Sequence, residues 1–161
     1  MQMQRLLQIL EHEGPVPPQE LATRLNCSTQ EIEANLQAAR DRGVLLRFSA
    51  LVNWEKLDDP HVFAIIDVEA TPEHGAGFDR VADHIARFDE VHSVYLMSGR
   101  TDLTVVVQGN DFREIARFVA EKLAPAPGVK ATATSFVLKT YKMEGELLTE
   151  PPTNSRLAVS P

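Results

Sequence analysis

Val91–Gly109, VHSVYLMSGRTDLTVVVQG, is the stretch whose reading decides the fold. Two runs rich in β-formers flank a short polar break, Ser98-Gly99-Arg100-Thr101-Asp102. Leu103, Val105 and Val107 alternate with Thr104, Val106 and Gln108, the period of a strand with one covered face. A Gly-containing break between two such runs reads as a hairpin. This puts the hairpin in the middle of a sheet and makes its turn the first place to look for function.

The flanks on either side resemble each other. Upstream, His61–Thr71 reads as a strand with Val62, Ala64, Ile66 and Val68 on one face. A helix follows over Phe78–Phe88, with Phe78, Val81, Ala82 and Ile85 at i, i+3, i+4 and i+7. Downstream, Asp111 caps a helix over Phe112–Leu123, with Phe112, Ile115, Ala116 and Val119 at the same spacing. The motif Phe-x-x-(Val/Ile)-Ala-x-x-(Ile/Val) thus recurs 34 residues on. Val129–Tyr141 is a last strand. A β-α-β unit written twice gives β-α-β-β-α-β, a ferredoxin-like plait. Right-handed crossovers put both helices on one face. The other face, with Phe63 and Ile65, is left open and predicts dimerisation.

The amino-terminal part is helical. Residues 2–13 carry Leu6, Leu7 and Leu10 on one stripe, and Gly14-Pro15-Val16-Pro17-Pro18 ends that helix. Pro18 suits the first turn of a second helix running to Leu25, because proline needs no amide partner there. Ser28 and Glu31 have the capping-box spacing for a third helix ending near Gly43, with Ile32, Leu36 and Ala39 inward. The pair of short helices is a helix-turn-helix. Val44–Val52 is rich in β-formers and reads as a connecting strand. The chain is therefore α+β: a helix-turn-helix (winged-helix) domain over 1–52, a linker over 53–60, the plait over 61–148 and a disordered tail over 149–161.

The 161 residues carry a net charge of −7, which makes the whole chain a poor electrostatic partner for nucleic acid. Binding to DNA has to rest on a local patch. Residues 1–57 hold six Lys/Arg against seven Asp/Glu, so the helical part is nearly neutral. Cys27 is the only cysteine, which excludes an internal disulfide and a zinc site built on cysteines. It reads as a packed thiol in the turn of the helix-turn-helix. The five histidines have no ligand spacing, and no metal or cofactor is expected. No run has the length of a membrane span and no signal peptide is visible, so the expected compartment is the cytoplasm.

A helix-turn-helix, a connecting strand and a plait in that order resemble the Lrp/AsnC, or feast/famine, regulators over about residues 3–148. The residues that carry the likeness are Gln19-Glu20-Leu21-Ala22-Thr23-Arg24-Leu25, Gly43-Val44-Leu45, Val94 through Leu103 and Thr132-Ala133-Thr134. The resemblance implies a transcription regulator whose plait, often called RAM, dimerises and assembles into octamers or similar rings. It also implies an amino acid or other small metabolite bound at contacts between plaits. Carried over by position, the effector residues are Gly99, Arg100, Thr101, Asp102, Thr132 and Thr134, with Met97 beside them.

Their chemistry suits a free amino acid. Asp102 can accept from an ammonium. Thr132 and Thr134 are two apart, so both hydroxyls share one strand face. Backbone amides near Gly99 can approach a carboxylate. For DNA, the third helix offers Ser28, Thr29, Gln30, Glu33 and Gln37, while Arg40, Arg42 and Arg47 come late and suit phosphates. Two early acids, Glu31 and Glu33, oppose a phosphate backbone, although they also suit the positive end of a helix. Two other functions fit the same layout. One is an oligomeric ligand-binding scaffold with weak or no DNA binding, whose helix-turn-helix meets a protein. The other is an enzyme resembling the sirohaem decarboxylases, which calls for a basic pocket that this acidic plait argues against.

Overall fold

A computed structural model describes residues 2–57, 61–72, 74, 75 and 77–149. The chain divides into two compact units, Met1–Val52 and Asn53–Pro161. The expected tail lies outside the described residues apart from Thr149, and so do residues 58–60 of the expected linker.

The first unit is three helices: α1 (Gln2–Glu13), α2 (Pro18–Leu25) and α3 (Thr29–Asp41). Their apolar stripes meet in one core of Leu6, Leu10, Leu21, Ala22 and Ile32, with Cys27 and Leu36 packed against it. Asn26 ends α2 in the left-handed conformation at φ 52°, which turns the chain into α3. The α3 cap is reciprocal: Ser28 Oγ accepts from Glu31 N at 3.2 Å, and Ser28 N donates to Glu31 Oε2 at 2.9 Å.

The stretch 44–52, expected as a strand, forms none, and no β wing is present among the described residues of this unit. A strand needs a neighbour to take its backbone groups, and this unit supplies no other strand. Among the described residues only its first amides find a backbone partner, those of Val44 and Leu45, both in Ala39 O. Its large side chains remain outside, with Leu46 84%, Phe48 39% and Leu51 38% exposed.

The second unit opens with a 3-10 turn, Trp54–Lys56, and continues through β1 (Val62–Ala70), α4 (Asp79–Ile85), β2 (Val91–Leu96), β3 (Leu103–Gly109), α5 (Phe112–Phe118) and β4 (Val129–Phe136). The sheet order is β2-β3-β1-β4, with every neighbouring pair antiparallel. This is the plait. The hairpin forms one side of it rather than the middle: β2 is an edge, and β3 and β1 are central.

Alternation along β1 puts Ala64, Ile66, Val68 and Ala70 in the core with Leu103, Val105 and Val107 of β3. Val81 and Ile85 of α4 and Ile115 and Phe118 of α5 complete the same cluster, so both helices cover one face. Each fully buried aliphatic side chain here is worth roughly 1.5–3 kcal/mol. Phe63, Ile65, Asp67 and Glu69 point to the other face, where Ile65 is 43% exposed.

Two local expectations change. The helix after Asp111 loses its α register at Val119–Leu123, a π-helical turn in which Ala124 N reaches Val119 O at 2.8 Å. The extra residue in that turn brings Leu123, five residues after Phe118, into the core. Phe118 and Leu123 fill the core, whereas Phe112, expected inside, is 51% exposed and meets Phe136 edge-on. The final strand stops at Phe136 rather than Tyr141. Beyond it lies a small hairpin, β5 (Lys142–Met143) and β6 (Glu146–Leu147), turning through Glu144 and Gly145, both at positive φ.

Candidate functional site

On α3 the residues that face solvent and those that pack separate cleanly. Ile32 and Ala39 are fully buried, and Leu36 is half-buried between them. On the opposite side Gln30, Glu33, Ala34 and Gln37 form one exposed stripe at i, i+3, i+4 and i+7. Ala34 joins this stripe beyond the polar residues expected of it. The same 3.6 period that placed Gln30 and Gln37 also places it, and a methyl there can meet a thymine methyl.

The remaining α3 candidates do not share that stripe equally. Ser28 is exposed, but its hydroxyl is committed to the cap. Thr29 is half-buried in the first turn. Gln37 Nε2 donates to Asp41 Oδ1 at 2.7 Å. Arg40 and Arg42 are both exposed, on either flank of the stripe, and the Arg42 guanidinium lies 3.9 Å from Met3 Sδ. Arg47 is exposed in the unpaired stretch beyond. Glu31 is folded back onto Ser28, whose backbone amide and then its hydroxyl hold the carboxyl below the ordinary range. Of the two early acids, only Glu33 stands on the exposed stripe.

The turn joining β2 and β3 is closed by Met97 N donating to Asp102 O at 2.9 Å. Met97, Gly99 and Arg100 are exposed, whereas Thr101 and Asp102 are half-buried. Asp102 does more than close its own turn. The β1–β3 ladder ends at Val68–Leu103, and Asp102 Oδ2 takes up the next free amide, that of Ala70, at 2.9 Å. One carboxylate oxygen therefore stitches the turn to the end of β1. Gly99 has nothing within 4 Å of where a Cβ would stand and needs no positive φ. Internal packing does not require a glycine there, and the space in front of its backbone is open.

Thr132 pairs with Val68 and Thr134 with Ile66, so both threonines face the helix-covered side from the edge strand β4. They share a face, as their spacing required. Thr132 stands two strands from Leu103, roughly 10 Å at the usual strand spacing. The threonines and the Gly99–Asp102 turn thus stand on opposite sides of β1. Tyr95, Leu96 and Met97 are 54%, 62% and 47% exposed where β2 enters the turn. Among the described residues no group of three or more His, Cys, Asp or Glu can hold a metal ion.

A three-helix helix-turn-helix unit followed in the chain by a βαββαβ plait defines a two-part helix-turn-helix protein. Comparisons with known proteins agree with that class. The model of the Lrp/AsnC ligand binding domain matches residues 63–147. YugG, an uncharacterised HTH-type transcriptional regulator of Bacillus subtilis (strain 168), is 39% identical over 157 residues, covering 97% of this chain and 95% of that protein. Among solved structures, the transcriptional regulator NMB0573 of Neisseria meningitidis, in complex with L-Met, is 26% identical with a TM-score of 0.68, over 88% of this chain and 91% of that one. The leucine response regulatory protein LrpA of Mycobacterium tuberculosis, at 21% identity and a TM-score of 0.74 over 92% and 98% of the two chains, shows the same fold. This chain belongs to the Lrp/AsnC family of transcriptional regulators.

Proposed function

We propose that this regulator reads DNA with α3 and answers to an amino acid, or a similar small metabolite, bound at the Met97–Asp102 turn. The observation that carries the DNA half is the exposed stripe Gln30, Ala34 and Gln37, side chains that suit base edges, flanked by Arg40 and Arg42 for phosphates. The effector half is supported by the open backbone at Gly99 and by the second oxygen of the Asp102 carboxylate, Oδ1, which can accept from an ammonium while Oδ2 holds Ala70 N. Methionine heads the candidate effectors, because the Neisseria relative carries L-Met. The exposed Tyr95, Leu96 and Met97 suit an apolar side chain.

With Thr132 and Thr134 across β1 from the turn, the pocket is completed between copies of the plait. The open sheet face provides the first contact and pairs two chains. Higher rings then raise the effective concentration of each helix-turn-helix on DNA. Such a protein works in the cytoplasm, without a cofactor and without catalysis.

The test is selection from a random DNA library, then gel shifts with each of the twenty amino acids in turn. An enriched sequence whose affinity one amino acid changes is the expected result. Glu33 on the recognition stripe favours a second reading, in which α3 meets a basic protein surface instead. No enriched sequence at low salt, with or without amino acids, decides for that reading.

A further inference from the structure

We propose that residues 137–148 form a releasable clasp on the start of the plait unit, and that this clasp passes the state of the effector site to the segment tethering the DNA-reading helices. The proposal rests on the effector-responsive reading above. Two side chains from the start of the second unit hold the clasp. Asn53 Nδ2 donates to Leu148 O at 3.2 Å across 95 residues of sequence, and Glu55 Oε1 accepts from Thr140 N at 2.9 Å across 85. Asn53 is the first residue of that unit, directly after Val52.

The geometry makes the clasp a closed loop. Leu148 N donates to Tyr141 O at 3.0 Å, so the β5–β6 hairpin has a fixed base. The residues on either side of that base, Thr140 and Leu148, grip the same short stretch, 53–55. On its other side the clasp is the direct continuation of β4, the strand of Thr132 and Thr134. Val137 N still donates to Phe63 O at 2.9 Å, and Thr140 is only four residues past the end of β4. A shift of β4 toward a ligand therefore moves the amide that Glu55 holds.

Within the clasp, none of residues 137–148 is fully buried. Its strands are two residues each, and Tyr141, Lys142, Glu146 and Leu147 are all exposed. A hairpin of that size is marginal alone. Asn53 Oδ1 is buried and no donor among the described residues reaches it, so the closed state is incompletely satisfied. An element with few buried contacts and exposed backbone bonds belongs to the part of a fold that opens first. Such an element can be ordered in one ligand state and released in another.

The experiment compares the full chain with Asn53→Asp, Glu55→Ala and Glu55→Gln. Asn53→Asp removes the donor to Leu148 O at nearly constant shape. Glu55→Gln keeps an oxygen that can accept from Thr140 N, and is the conservative rescue. The readouts are amide hydrogen exchange over 53–57 and 140–148, amino-acid affinity by calorimetry, and the fold-change in DNA affinity caused by the amino acid with the strongest effect on the native chain. Couplings of this kind are typically 5–150-fold. The clasp predicts about tenfold faster exchange in Asn53→Asp and Glu55→Ala. It also predicts amino-acid affinity within about twofold of native, and an amino-acid effect on DNA that falls to within about twofold of none. Glu55→Gln behaves as native. Faster exchange with full coupling overturns the regulatory role, and unchanged exchange overturns the clasp itself. A native chain whose DNA affinity no amino acid alters sinks the functional reading and the coupling with it. The exchange data then still report whether 53–55 holds the carboxy-terminal hairpin.

Discussion

The carboxylate of Asp102 and the backbone amide of Ala70 are 2.9 Å apart and hydrogen-bonded, although 32 residues separate them. Through this bond the β2–β3 turn is fixed to β1 just where the backbone ladder between β1 and β3 runs out. A residue singled out as a ligand group is thus also the acceptor that finishes a sheet.

The two roles separate by substitution. Asp102→Asn keeps an oxygen for Ala70 N but loses the charge that an ammonium needs. It is expected to unfold within about 1 kcal/mol of native and to bind the effector at least tenfold more weakly. Asp102→Ala loses both and costs a further 1–2 kcal/mol or so for the stranded amide. Calorimetry and urea denaturation read the two effects. An Asp102→Asn variant with native effector affinity means that the residue serves the sheet alone.

On α3 the stripe and its flanks are expected to differ in kind. Gln37→Ala removes a base-edge candidate and its bond to Asp41. It is predicted to lower affinity by about 1–3 kcal/mol at particular base positions. Arg40→Ala and Arg42→Ala are predicted to weaken all sequences alike and to reduce the slope of log affinity against log salt by about 1 each. Salt titrations on specific and scrambled DNA distinguish them. Sequence-selective loss on removing either arginine assigns it to the bases instead.

Much of this molecule is written locally. The alternation of Leu103, Val105 and Val107, the duplicated helix motif and the Ser28–Glu31 spacing each specify an element through neighbours in the chain. What is not legible depends on partners far away. The stretch 44–52 has strand composition, but strandhood needs an adjacent strand, and its own unit lacks one. Phe112 has core spacing, but it is the first helical residue after the Asp111 cap, and its ring meets Phe136 at the far end of β4, a partner 24 residues on that no local pattern announces. The β5–β6 turn did leave a signal, Gly145, yet a glutamate precedes it where Asn or Asp is usual. At the site, Gly99 and Asp102 were legible as a turn. The claim of Ala70 N on the Asp102 carboxylate was not, because it crosses 32 residues.

Removing the α3 cap tests the geometry of the helix-turn-helix. Ser28→Ala loses the hydroxyl that accepts from Glu31 N and donates to Glu31 Oε2, keeps the backbone arm from Ser28 N to Glu31 Oε2, and is predicted to cost about 1 kcal/mol by chemical denaturation. Glu31 works in the same cap with its carboxyl held low, so its contribution is present above the ordinary carboxylate range and is lost as pH falls below that range through the lowered folded value. The cost of Ser28→Ala should therefore be larger at pH 7 than at pH 3. An equal cost at both pH values removes the bond from the Ser28 hydroxyl to the Glu31 carboxylate from the account.

Glu90 gives a second acid-sensitive contact. Partial burial works to raise its carboxyl, but the hydrogen bond from Lys122 and the backbone amide of Glu90 itself outweigh that, and it lies below the ordinary range. A lowered value in the folded state means stability that is present above the unfolded range, near pH 4.3, and is lost as pH falls through the folded value. Glu90→Gln is predicted to flatten the acid side of the stability curve below about pH 4.5 and to leave its slope near pH 7 unchanged. A native acid limb in the variant assigns the acid sensitivity to other carboxylates.

The open sheet face makes the last prediction. Phe63 and Ile65 stand there beside Asp67, whose Oδ1 accepts from Thr104 Oγ1 at 3.2 Å, and His92 lies against Phe63 with ring centroids 6.3 Å apart. The face is therefore apolar at one end and polar but internally paired further along. Such a surface can close on a copy of itself without stranding Asp67. Ile65→Lys puts a charge at the apolar end and touches none of the core residues Ala64, Ile66 and Val68. Light scattering during size exclusion is expected to show the native chain as a dimer or larger and Ile65→Lys as a monomer, with unchanged circular dichroism. Loss of the dimer should also lower effector affinity, since the proposed pocket is completed between copies of the plait. A variant that stays assembled moves the contact to another surface, and the exposed apolar stretch from Val44 to Leu51 is the next one to test.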